Sequence, residues 1–96
     1  MVIGMAYLFI EIPECHSLKE KRSVVRPVIK RVQSKFNVSI AEIDHLDSWQ
    51  SAGLGIVCVS NSQRHVEDSM QNVIDFIEGH LDGGHVAEIE TDVQRF

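Results

Sequence analysis

The segment Val2–Ile12 most constrains what this chain can fold into. It alternates without a break, with Gly4, Ala6, Leu8, Ile10 and Ile12 on one face and Ile3, Met5, Tyr7 and Phe9 on the other. Pro13 ends it. A strand that is apolar on both faces needs cover on both, or leaves one face adhesive. The segment lacks a basic n-region and runs directly into Pro13, so it reads as a strand and not as a secretion signal.

The next stretch, Ser17–Phe36, reads as one long helix. Ser17 and Glu20 have the spacing of a capping box, in which each side chain accepts from the other residue's backbone N–H. Leu18, Val25, Ile29, Val32 and Phe36 form the expected buried stripe. Lys19, Arg22, Arg26 and Lys30 lie on a neighbouring stripe, while Lys21, Arg31 and Lys35 flank the opposite side. Pro27 removes one intrahelical hydrogen bond and predicts a bend.

Asn37–His45 reads as a second strand, Leu46–Ala52 as the turn, and Gly53–Ser60 as a third, β-branched strand. Residues 60–62 cap a second helix that runs to about Gly79, with Val66, Met70, Val73, Ile74 and Ile77 as its apolar stripe. Gly83 and Gly84 mark a turn. His85–Val93 is a fourth strand, and its Glu88, Glu90 and Asp92 suit an exposed edge.

The order is therefore β-α-β-β-α-β. It predicts an α+β, ferredoxin-like fold: a four-stranded antiparallel sheet in the order 4-1-3-2, with two helices on one face. Ninety-six residues without a linker or repeat form one domain, residues 1–96, large enough for a core without metals or disulfides. No apolar run reaches the ~18 residues of a membrane span. Cys15 and Cys58 form no CxxC motif, and a reduced, cytoplasmic compartment is the expectation.

IPECHSLKEKRSVV and FNVSIAEIDHLDSWQSAGLGIVCVSN resemble the YlxP-like family of small bacterial proteins, domain of unknown function 503. The resemblance spans essentially the whole chain, and SLKEKR and the AEIDHLDSWQ-to-VSN stretch are its distinctive parts. It implies a ferredoxin-like fold and no established activity. Relatives are often encoded beside translation and ribosome-assembly genes. Pro27 and the pair Tyr7 and Phe9 depart from the family pattern.

Charge supplies the functional hint. The helical segment holds seven of nine Lys and Arg residues and carries +6, whereas the other 76 residues carry −11. Lys19, Lys21 and Arg22 sit in the first turns, where positive charge opposes the helix dipole, so helix stability does not account for them. Ser17, Lys19, Lys21 and Arg22, continued by Arg26, Lys30 and Arg31, are the expected anion surface for RNA or a ribosomal subunit. The bland alternative is a solvated face built from good helix formers. A net charge of −5 confines any nucleic-acid contact to this region.

In this topology the loop before the first helix, the turn after the second strand and the loop before the fourth strand share one end of the sheet. That end gathers His16, His45, His80 and His85 with Asp44, Asp47 and Trp49. Asp44, His45, Asp47 and Trp49 are candidates for contact with a protein partner. Trp49 alone suits a packing anchor for the hairpin. A metal or catalytic site from Asp44, His45, Asp47 and His16 has competent ligand types, but consecutive strand residues point to opposite faces, and no metal or cofactor is expected. Cys15 beside His16 reads as an ordinary free thiol, the alternative being a thiolate activated near a helix N-terminus.

The third strand offers Gly53, Gly55, Val57 and Val59 on the outer face and no aromatic residue, which argues against base stacking of the RRM kind. With Ile3, Met5, Tyr7 and Phe9 this face makes an apolar patch, and a homo-oligomer through it is the second expectation. The absence of a heavy-metal CxxC, an acylphosphatase anion loop and a Walker or GxGxxG motif points away from an enzyme.

Overall fold

The computed structural model describes all 96 residues. The elements are β1 (Val2–Glu11), α1 (Leu18–Lys35), β2 (Ser39–Asp44), β3 (Ser51–Ser60), α2 (Gln63–His80) and β4 (His85–Arg95). They form one antiparallel sheet ordered β2-β3-β1-β4, which is the expected 4-1-3-2 read from the other edge. The helices cover one face. The hairpin turn is shorter than the sequence predicts, because β3 begins at Ser51, and β4 continues two residues beyond Val93.

Register explains the strand alternation. β1 pairs along its whole length with β3, from Val2↔Ser60 to Glu11↔Ser51, and with β4 on its other side. Val2, Ala6, Leu8, Ile10 and Ile12 are buried beneath the helices, with Ala52, Leu54, Ile56 and Cys58 of β3. Gly4 belongs to this inner face for lack of space: a Cβ there would collide with the Val66 side chain of α2. Val66, Met70, Val73, Ile74 and Ile77 bury as one stripe of α2, as their spacing predicts.

Helix α1 departs from expectation in its rotation. Its buried residues are Lys21, Val25, Val28 and Val32. Leu18, Ile29 and Phe36, expected at the centre of the stripe, are only half-buried. The buried face is turned by roughly 40° from the predicted one, at about 100° per residue. The rotation brings a lysine into the core seam. The helix is continuous through exposed Pro27. The proline lacks the N–H that would bond the Ser23 carbonyl, and it does so away from the core.

Candidate functional site

Lys21 organises the end of the sheet expected to carry function. Its side chain is 2% exposed and sits at the i−4 position from Val25 in the buried stripe. The ammonium donates to Glu42 Oε2 at 2.8 Å and to the carbonyls of His45 at 3.0 Å, Ser51 at 3.2 Å and Leu46 at 3.3 Å. Three N–H groups thus serve four acceptors, one of them shared. The charge is paired and hydrogen-bonded, which is the condition for a buried ammonium to be tolerated. Lys21 therefore leaves the expected anion surface: it fastens the 45–50 loop to α1, and no donor remains for a phosphate.

Ser17 leaves that surface too. Its Oγ accepts from the Glu20 backbone N–H at 3.0 Å as expected, but Glu20 Oε2 reaches one residue further back than the expected box and accepts from the His16 N–H at 2.8 Å instead of the Ser17 N–H. The helix N-terminus is closed by its own cap, and the Glu20 carboxylate there repels an anion.

Lys19, Arg22, Arg26, Lys30 and Arg31 remain, all exposed. Lys19, Arg22, Arg26 and Lys30 recur at i, i+3, i+7 and i+11, one stripe spanning roughly 17 Å at 1.5 Å per residue. The ion pairs made by Lys and Arg are Lys21–Glu42 and Arg64–Asp68. None of these five cations has a carboxylate partner. Lys35 lies over the rings of Phe36 and Phe76, 5.7 and 5.0 Å from their centroids, and closes the edge of the helix layer.

Asp44 and His45 come together on the outer sheet face, against the alternation rule. The register between β2 and β3 shifts between Glu42 and Asp44, so Ile43 is the extra residue of a bulge. Ile43 lies over Gly55 and Asp44 over Gly53, both on the outer side. A side chain on either glycine would meet them. His45 then adopts a left-handed backbone, φ 58°, which turns the chain back across the face. Its ring packs 5.0 Å from Phe9, and Tyr7 OH donates to Asp44 Oδ2 at 3.1 Å. Burial first, and the Asp44 hydrogen bond second, push the Tyr7 phenol above its ordinary value of 10.0.

The other expected members do not join them. Asp47 and Trp49 are exposed in the loop, with Trp49 53% accessible. Trp49 is not the hairpin anchor its type suggested, because Lys21 fills that role. His80 stacks on Phe76 at 3.9 Å, and His85 approaches Glu11 at 3.6 Å. No three His, Cys, Asp or Glu side chains converge as metal ligands. Cys15 is buried, and that burial, with Glu20 nearby, pushes its thiol above 9.0 despite Lys21. The thiol is held protonated, the opposite of an activated nucleophile.

This arrangement can be set beside known proteins. The family model described as "Protein of unknown function (DUF503)" matches residues 3–91. The chain belongs to the DUF503 family. It is 46% identical over 77 residues to the uncharacterized protein YlxP of Bacillus subtilis (strain 168), covering 80% of this chain and 84% of that one. Among solved structures, a de novo designed protein with a ferredoxin fold, determined by NMR in solution, superposes with a TM-score of 0.53 at 16% identity. The match covers 100% of this chain and 87% of the designed one. That likeness establishes the ferredoxin-like fold of this DUF503 chain. No helix of it is long and apolar enough to cross a membrane.

Proposed function

We propose that this DUF503 protein is a non-enzymatic accessory protein that binds RNA, in the setting of the ribosome, through the exposed stripe of α1. One observation carries the reading. Lys19, Arg22, Arg26, Lys30 and Arg31 project unpaired from one helix of a chain that has 14 carboxylates. Unpaired cations on a rigid helix attract a phosphate backbone by charge and release its counterions.

The footprint is narrow. Helix α2 exposes Glu67, Asp68, Asp75 and Glu78 beside α1. The outer sheet face has no aromatic residue on β3 for stacking, since Tyr7 and Phe9 stand opposite Gly55 and Gly53. Contacts of this kind hold a backbone in place and carry little sequence information.

The test is binding to ribosomal subunits and to total RNA across a salt series. Four phosphate contacts predict a slope of log K against log salt of about −3. Changing Lys19, Arg22, Arg26 and Lys30 to Glu should abolish the binding. Binding that ignores salt, or that survives in the quadruple variant, refutes the proposal.

A further inference from the structure

The outer face of the sheet is a second surface, with chemistry opposite to that of α1. Its centre is apolar: Ile3, Met5, Tyr7 and Phe9 of β1 are half-buried, and Val57, Val59 and Ile43 are 44%, 59% and 58% exposed. Its border along β4 is acidic. Met5 stands opposite Asp92, Tyr7 opposite Glu90 and Phe9 opposite Glu88, and directly opposed residues of an antiparallel pair share a face. A shallow depression of about 250 Å³ separates Met5 and Tyr7 from Glu90 and Asp92. Asp44 adds a carboxylate on the β2 side, over Gly53.

No Lys or Arg lies on this face. Seven are on α1, Arg64 is on α2, and Arg95 pairs opposite buried Val2 and bonds Gln63 of α2 on the helix side. Charge therefore selects the occupant. A second copy laid face to face would bring no Lys or Arg to meet these carboxylates. RNA would be repelled by them. We propose that this face docks a basic amphipathic helix of another protein. Its apolar stripe seats on Met5, Val57 and Val59, and Lys or Arg residues along one flank meet Glu88, Glu90 and Asp92.

The dimensions suit such an occupant. Ten residues of β1 and four strands give a face of roughly 33 by 19 Å, or about 600 Å² in projection, at standard strand rise and spacing. That approaches the ~800 Å² per partner of a stable interface. A helix of about 18 residues, ~27 Å long and ~10 Å across, fits within it. The proposal stands apart from the reading of α1, since the two surfaces lie on opposite sides of the sheet.

The experiment uses fluorescence anisotropy at about physiological salt with three labelled 18-residue peptides. They are an amphipathic Lys/Leu helix, its Glu/Leu counterpart and a Lys/Ser peptide without an apolar stripe. The Lys/Leu helix is expected to bind at least tenfold more tightly than either of the others. Glu88→Lys with Glu90→Lys and Asp92→Lys should weaken it at least tenfold, and so should Val57→Ser with Val59→Ser. A charge-matched triple on α2, Glu67→Lys with Asp68→Lys and Glu78→Lys, should leave it unchanged. All eight positions are exposed, so the variants should keep the fold, and matched circular dichroism checks this. The proposal fails if the Lys/Leu helix does not bind, or if the α2 triple weakens it as much as the β4 triple. It also fails if sedimentation shows a wild-type dimer that the Val57 and Val59 changes dissolve.

Discussion

Replacing Lys21 with Met tests the anchor that fastens the 45–50 loop to α1. Methionine keeps most of the aliphatic stem, so the change removes little packing. It takes away the ammonium and leaves Glu42 and the carbonyls of His45, Leu46 and Ser51 without their donor. Removing one partner of a buried ion pair costs about 3–5 kcal/mol. The Glu42 side chain keeps 21% exposure and regains some water, which places the expected loss near the lower end, about 3 kcal/mol. That is a large part of the ~5–15 kcal/mol available to a domain. Urea denaturation followed by circular dichroism measures it, with an unchanged m-value. Amide exchange should quicken at Ser48, whose N–H bonds the His45 carbonyl, more than at the centre of β1. A loss below about 1 kcal/mol, the scale of an exposed surface pair, would refute the account of Lys21 as a buried anchor.

Two further outcomes follow from the core. Gly4→Ala should destabilise by about 1–3 kcal/mol, because its new Cβ meets Val66, a stiff β-branched side chain; a denaturation midpoint equal to wild type would show that α2 shifts freely. Stability should also fall at alkaline pH. Burial raises the thiols of Cys15 and Cys58 above 9.0, and burial followed by the Asp44 bond raises the Tyr7 phenol above 10.0. Each group is easier to ionise unfolded, so its contribution is fully present below those ordinary values. It is lost as pH climbs from about 9 for the thiols and 10 for the phenol through the folded values. Melting curves at pH 7 to 11 should show this decline, shallower in Cys15→Ala with Cys58→Ala; an equal decline in that variant would contradict the thiol share.

The sequence by itself determined the element order, the two faces of β1, the stripe of α2 and the Ser17 cap on the Glu20 N–H. Each is a local pattern: a period of two or 3.6 residues, or a side chain that reaches a backbone group three residues away. The basic stripe was legible for the same reason, since Lys19, Arg22, Arg26 and Lys30 fall into line by helical spacing alone. Only tertiary structure decided which lysine is not part of that surface. The partners of Lys21 lie 21 to 30 residues away, and three of the four are backbone carbonyls, which carry no mark in the sequence. A lysine at a buried-stripe position reads as polar surface until those acceptors are in place. The bulge at Ile43 is likewise a matter of pairing between strands. It puts Ile43 and Asp44 on one face, and the left-handed backbone of His45 adds its ring to them. The acidic border beside an apolar centre emerges from register as well, because Glu88, Glu90 and Asp92 meet β1 only across the sheet.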